Sequence, residues 1–351
     1  MTSQALPKQV EAGLPAIPIW RTALYSRGSA AHFLRRVVRK LTGRDWLFER
    51  WLRRRQVHVL SHADPLGRAA AIPVIGHIAD LGVHFFSELY SPKTGDALKR
   101  HIHRHVNAVD TVLLSSAAVE DDFRKLYGAT KGVRKVVHMV PAIDARDPLA
   151  ERAVVERYAL PDRFFYLPNK FWVHKNHRVV IEALGMLRAR HRSVRIVSTG
   201  MTNDERQPHH FVTLMERARE LGVEEDLQVL GIVPAADVTA LMRNCVAVIN
   251  PSKFEGWGLS VAEAREMGKA VILADIPVFR EHGAVRVEYF PADDAGALAD
   301  ILIKHHDAFD RTTDDTFQDA AQDAHLAHQQ KYAREYERVV LDTLAHHQGQ
   351  R

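Results

Sequence analysis

From about residue 57 onward, short runs of consecutive apolar residues alternate with longer segments whose apolar positions recur every three or four residues. The runs are rich in β-branched side chains, which predicts strands, and the longer segments fit amphipathic helices. Strands are expected at 57–61, 72–78, 110–116 and 135–140 and, after a break, at 164–169, 195–200, 227–231, 245–252, 270–275 and 287–290. Helices fit 117–127, 176–190, 208–221, 235–243, 259–268 and 294–306, and a long polar helix is expected over about 317–346. Strands that are apolar without alternation belong to a sheet covered on both faces, and intervening helices imply parallel crossovers. The second half is the more regular, with six strands and five helices between 164 and 306, enough for one doubly wound domain. Pro141, Pro148 and Pro161 interrupt the pattern between the halves, with room for a short helix between the last two. The expected class is α/β, with two Rossmann-like doubly wound domains.

Composition narrows the picture only a little. The 351 residues exceed what one hydrophobic core organises, and 46% hydrophobic with 26% charged residues is ordinary for a globular protein. No apolar run approaches the ~18 residues of a bilayer span, and the N-terminus lacks the basic start and apolar stretch of a signal peptide. A single cysteine, Cys245, excludes an internal disulfide and sits in the apolar run CVAVIN, where a small core residue fits. These features predict a cytoplasmic protein. The net charge of +5 conceals a patch: between Arg21 and Arg55, eleven Arg and Lys face only Asp45 and Glu49. Within it, AAHFLRRVVRKL and RDWLFERWLRRR each turn apolar side chains to one face and arginines to the rest. Helices lying on an anionic membrane surface read this way, as does a helix packed on its own domain. A peripheral place at the inner membrane face is the expectation drawn from it, and no nucleic-acid partner is expected.

The candidate chemistry lies in NPSKFEGWGLSVAEAREMGKAVILAD, residues 250–275. A strand ends near Ser252, a loop carries Gly256 and Gly258, and a helix opens near Leu259. A helix start offers unpaired N–H groups and roughly +0.5 charge, which suits a diphosphate, and glycine lets the backbone approach it. Glu255 and Glu263 bracket this point, and carboxylates accept hydrogen bonds from sugar or ribose hydroxyls. Upstream, FFYLPNKFWVHKNHRVVIEAL places Lys175 at a helix start, where a cation is unfavourable unless an anion binds there.

Segment 250–275 resembles the signature of retaining glycosyltransferase family 4, E-G-[FW]-G-L-x-x-x-E-A-x-x-x-G-x-P-V. It matches at Glu255, Gly256, Trp257, Gly258, Leu259, Glu263, Ala264, Gly268 and Val271, with Ala270 where the family usually has proline. The resemblance implies a GT-B fold, in which two Rossmann-like domains face a cleft. The acceptor-side domain would occupy 1–155, the nucleotide-sugar-binding domain 156–312, and a C-terminal helix and tail 313–351. It implies transfer of a hexose from a UDP- or GDP-hexose to a hydroxyl of a glycan or lipid-linked acceptor, in bacterial polysaccharide or glycolipid assembly. Retention at the anomeric carbon, no cofactor and no metal are implied as well; no D-x-D follows a strand.

By the same resemblance, Glu255 contacts the donor sugar, Glu263 the ribose, and the backbone from Gly256 through Trp257 and Gly258 to Leu259 the diphosphate. Lys175 stabilises the leaving diphosphate. The family's arginine six residues before that lysine falls on Asn169, so Lys170 or Asn169 itself would supply the second phosphate contact. Gly200 corresponds to a turn beside the nucleotide and Val233 to a backbone contact with the base. His84 is the best match to a histidine of the cleft, with His77 and Asp80 as alternatives. Trp172 is read as packing its loop, and Arg280 and Glu281 of DIPVFREHGA as anchoring a helix.

Family members open with a strand, a Gly-rich turn and a helix, which nothing in residues 1–31 matches. The expectation is an N-terminal domain lacking that first βαβ unit, with four or five strands. A rival reading follows: a non-catalytic or weakly active nucleotide-sugar-binding homologue with an incomplete acceptor domain.

Overall fold

The computed structural model describes residues 22–349 apart from 27, 68 and 131. Two parallel sheets organise them. The first contains β1 (Leu60–Ser61), β2 (Val74–Ile78), β3 (Thr111–Leu114) and β4 (Val133–Val136), in that spatial order. The second contains β5 (Phe164–Leu167), β6 (Arg195–Thr199), β7 (Leu227–Gly231), β8 (Val248–Asn250), β9 (Val271–Ala274) and β10 (Val287–Phe290), in the order β10-β9-β8-β5-β6-β7. All pairings within both sheets are parallel. The unalternating sequence of β5 has a direct cause. Phe165 and Leu167 enter one apolar layer while Phe164 and Tyr166 enter the layer on the opposite face.

Thirteen α-helices are described. In the N-terminal part they are α1 (Ala30–Thr42), α2 (Trp46–Arg53), α3 (Gly82–Phe85), α4 (Pro92–Val106), α5 (Ala117–Tyr127) and α6 (Pro148–Arg157). Those that follow are α7 (His177–Ala189), α8 (His210–Glu220), α9 (Ala235–Asn244), α10 (Leu259–Glu266), α11 (Pro277–Arg280), α12 (Ala295–Ala308) and α13 (Arg311–Gly349). The order of the second sheet reverses direction between β5 and β8. A ligand crevice in such a sheet opens outside the carboxyl ends of the strands at that point.

Three N-terminal elements differ from expectation. β1 is only two residues long. β4 ends at Val136 rather than 140, because the chain after it leaves the sheet and the Met139 carbonyl accepts a hydrogen bond from Trp257 Nε1 at 3.0 Å. Helix α4 was not expected, since its His- and Lys-rich sequence carries few apolar residues; Ser91 caps it and Pro92 occupies its first turn. The first 21 residues, on which the expected absence of an opening strand and glycine turn mainly rests, lie outside the described residues.

The two halves are held together at several places. Helix α13 begins under the second sheet, where buried Asp314 pairs with Lys269 at 2.5 Å and Arg286 at 2.7 Å. It ends against the first, where Thr343 meets Thr111 at 2.7 Å and Asp342 pairs with Lys135 at 2.6 Å. Glu281 accepts from Ala117 N and Ala118 N, both at 2.7 Å, so a carboxylate of the second half caps α5 of the first. Finally, Ser115 Oγ donates to Ala79 O at 2.5 Å and to Gly256 O at 3.0 Å. A Cβ on Gly256 would lie 1.9 Å from Ala79 O, so this close approach requires glycine.

Candidate active site

The loops after β5 and β8 meet at the switch point and are stitched together by amides. Asn250, fully buried at the end of β8, accepts from Asn169 Nδ2 at 3.1 Å and from Ser252 Oγ at 2.7 Å, and donates to Ser260 Oγ at 3.3 Å. Asn176, with φ 56° in the left-handed region that asparagine tolerates, donates to Pro251 O at 3.1 Å and Ala292 O at 2.8 Å. Lys253 N donates to His174 O at 2.9 Å. This stitching brings Lys175 of the first loop to Glu255 of the second, where Nζ lies 2.5 Å from Oε1. Both side chains are mostly buried, at 14% and 11% exposure.

Around that pair is a cavity of about 140 Å³, walled by both halves of the chain. Asp80, Phe86 and Tyr90 come from the first half, and Trp172, His174, Arg206 and Phe254 from the second. Phe254 lies against Phe85 and Phe86, each with ring centroids 5.6 Å away. Arg206 is held over Trp172 at 4.5 Å and forms a forked pair with Asp204, both contacts at 2.8 Å. Burial pushes the Asp204 carboxyl up, but the hydrogen bonds from Arg206 outweigh it and hold it below its ordinary value. His174 is driven down to about 4, first by burial and then by the charges of Lys175 and Arg206, so it is neutral at physiological pH. The cavity therefore holds two cations, Lys175 paired with Glu255 and Arg206 paired with Asp204, with the Asp80 carboxylate also on its wall.

A second cavity, about 340 Å³, lies alongside and is lined by Pro168, Lys170, Gly200, Val233, Ser260 and Glu263 among others. Small-molecule sites commonly run about 300–1,000 Å³. Glu263 has no hydrogen-bond partner among the described residues, and burial raises its pKa. A half-buried, unpartnered carboxylate at the start of α10 is poised to accept from ligand hydroxyls. Gly258, at φ 85° and with Phe279 2.7 Å from where a Cβ would sit, turns the chain into α10, whose start has no side-chain cap for its first N–H groups. A larger hollow of about 990 Å³ lies between Leu66 and Asp110. Its acid, Asp110, is already engaged by Val74 N and His347, so its chemistry is less suited to a ligand.

The structure thus gathers Glu255, Lys175 and Gly256 in one cavity, and Lys170, Gly200, Val233 and Glu263 in its neighbour. Other expected residues are elsewhere. His84 faces away from the pair: its Nε2 lies 2.7 Å from Tyr127 OH within the first half, and burial depresses its pKa. His77 on β2 lies against His62, with ring centroids 4.8 Å apart and the rings tilted by 46°, while Asp80, the other alternative, does line the Lys175 cavity. Asn169 is 5% exposed and donates to Asn250 Oδ1 at 3.1 Å. Gly200 is needed chiefly for protein contact, since a Cβ there would meet Asn169 O at 2.6 Å. Trp257 is sandwiched between His138 and His282, at 4.4 and 3.9 Å between centroids, and clamps the two halves together. Leu259 is half-exposed at the first position of α10. Arg206, Asp204 and Asn250 were missed. The turn VSTGMTNDER gave a signal only through its glycine, and nothing local showed that its arginine would reach the Lys175 loop.

Residues 156–304 match the family model described as glycosyl transferases group 1. Among curated proteins, the glycogen synthase of Mycobacterium tuberculosis is 25% identical over 238 residues, covering 65% of this chain and 53% of that protein. The chain thus spans about half the length of the curated relatives it matches. Among solved structures, a glycosyltransferase from Rickettsia africae superposes with a TM-score of 0.69 at 16% identity, covering 96% of this chain and 87% of that one. HepE of Anabaena, solved in complex with UDP and glucose, gives 0.62 at 20% identity, covering 79% and 72%.

Proposed function

We propose that this chain, whose residues 156–304 match the glycosyl transferases group 1 model and whose fold is GT-B, moves a hexose from a nucleoside diphosphate sugar to a hydroxyl acceptor, with retention and without a metal. The observation that carries this reading is the pair of adjoining cavities at the switch point, one with Lys175, Arg206 and Glu255, the other with Glu263. A donor laid across them places its ribose hydroxyls on Glu263, its diphosphate at the start of α10 between Lys175 and Arg206, and its sugar beside Glu255. Its base lies against Val233 and Gly200. UDP- and GDP-hexoses are the donor class, and a glycan or lipid-linked hydroxyl is the acceptor class, consistent with bacterial polysaccharide or glycolipid assembly.

In the reaction, the acceptor oxygen bonds to the anomeric carbon as the bond from that carbon to the phosphate oxygen breaks. The bonding pair leaves with the nucleoside diphosphate, and the acceptor proton passes to a leaving phosphate oxygen on the same face. Lysine, arginine and helix N–H groups fixed before the reaction stabilise the departing charge, commonly the largest catalytic contribution. Asp80 of the first half faces the same cavity and replaces His84 as the acceptor-side candidate.

Among the described residues the N-terminal sheet has four strands, which favours the rival reading, a homologue that binds the donor with little turnover. One experiment separates the two. Incubation with a panel of nucleotide sugars and acceptor extracts is expected to release UDP or GDP from one donor; donor binding with no release from any of them would leave the binding homologue.

A further inference from the structure

Helix α1 is mounted with its apolar stripe outward. At 100° per residue, Phe33, Leu34, Val37 and Leu41 fall within one arc about 100° wide, which a domain normally turns to its core. Here Phe33 is 71%, Leu34 53% and Leu41 80% exposed, and Trp46 at the start of α2 is 48% exposed. The buried residue of α1 is Arg35 instead. Its guanidinium lies 3.7 Å over the Tyr25 ring, and its Nε and Nη2 both donate to buried Asp45, at 2.9 and 2.5 Å. Rotating the stripe inward would leave Asp45 buried without its partner, which fixes the orientation.

The charges around the stripe complete the picture. Asp45 is engaged by Arg35, and Glu49, also buried, is engaged by Arg44 at 2.6 Å. The exposed charges of α1 and α2 are then all basic: Arg36, Lys40, Arg50 and Arg53 among them. Lys40 and Arg36 flank the stripe on one side, where long aliphatic stems let their heads reach outward past apolar neighbours. No helix of the described residues is long and apolar enough to cross a membrane, so the surface would be entered only from one side.

We propose that α1 and the first turn of α2 form a docking surface for an anionic lipid bilayer. The stripe enters the boundary between headgroups and acyl chains, and the basic residues meet the lipid phosphates. Charge complementarity selects this occupant. A second copy of the chain would bring an equally basic rim against the first, and a nucleic acid has no apolar layer to receive four hydrophobic side chains.

The test is flotation of the full chain with phosphatidylglycerol-containing vesicles and with phosphatidylcholine vesicles at low salt. Two double variants accompany it, Phe33→Ser with Leu41→Ser and Arg36→Glu with Lys40→Glu. The expected result is association with the anionic vesicles only, falling about tenfold or more in each double variant, with melting temperatures unchanged because the replaced side chains face solvent. Three results would overturn the proposal: no flotation of the wild-type chain with anionic vesicles, flotation unaffected by both double variants, or a concentration-dependent dimer by light scattering that the Ser variants abolish while lipid binding is absent.

Discussion

The Lys175 ammonium lies 2.5 Å from the Glu255 carboxylate, so the cation assigned to the leaving phosphate is paired with the carboxylate assigned to the sugar. The pair shares one cavity and neither member is more than 14% exposed. An incoming diphosphate must compete with Glu255 for Lys175, and binding of the donor redistributes Lys175 from carboxylate to phosphate. Replacing Glu255 with Ala is therefore expected to lower transfer at least about a hundredfold, the loss of one transition-state contact of about 3 kcal/mol. Affinity for free nucleoside diphosphate should hold or rise, since the competing carboxylate is gone. Steady-state rates and calorimetric titration of the same variant check both halves; near wild-type turnover contradicts the role given to Glu255.

Arg206 lines the Lys175 cavity, and on the proposed reading it is the second diphosphate cation, the place that the family's arginine position gives to Asn169 in this chain. Charged hydrogen bonds contribute about 1.5–3 kcal/mol, so Arg206→Ala should weaken diphosphate binding about tenfold to a hundredfold. Binding of the corresponding nucleoside, which lacks phosphate, should be unchanged. An equal loss for nucleoside and diphosphate would mean that Arg206 only shapes the loop.

Glu263 carries a pH signature. Burial raises its pKa, so the carboxylate assigned to the ribose takes up its proton at a higher pH than the same group in solvent. Donor affinity should fall with pH through that raised value, and Glu263→Gln should flatten the profile and weaken donor binding at neutral pH. The stability effect has the opposite sense. The folded state holds this proton more tightly than the unfolded chain, so the group penalises folding above its folded pKa and the penalty disappears below it. Glu263→Gln should therefore melt higher than wild type at neutral pH, with the gap closing in acid, as a pH series of thermal melts would show.

Glu281 joins the halves through the N-terminus of α5. Its replacement by Ala removes two short hydrogen bonds from Ala117 N and Ala118 N and leaves these helix-start donors without their charged partner. A loss of about 1–3 kcal/mol in urea unfolding is expected, together with a weaker coupling between the halves. Unchanged unfolding would show that the cap is replaced by water.

The second half was more legible than the first for physical reasons. Its strands are buried on both faces, so Phe164 to Leu167 read as an uninterrupted apolar run, and its helices are amphipathic. The apolar run 57–61 reads as a full strand although only Leu60–Ser61 pair as β1, and the few apolar residues of α4 hide a helix that Ser91 and Pro92 start. Within the site, residues set by local backbone geometry were readable: Glu255, Gly258 and Glu263 follow from one strand–loop–helix unit. Trp257 could not be told from a ligand contact, because its partners His138 and His282 come from two other segments. Arg206 was hidden for the same reason, since it reaches the Lys175 cavity from the turn after β6. The outward mounting of α1 was one of two readings that its sequence left open, and what decides it, the Arg35–Asp45 pair, joins two separate segments.

The direct measurement is calorimetric titration of the full chain with UDP and with GDP, repeated on Lys175→Ala and Arg206→Ala. One of the two nucleotides is expected to bind with a dissociation constant in the micromolar range and to lose about tenfold or more in each variant. No binding of either nucleotide up to millimolar concentration, or binding that neither variant weakens, would contradict a diphosphate site between these two cations.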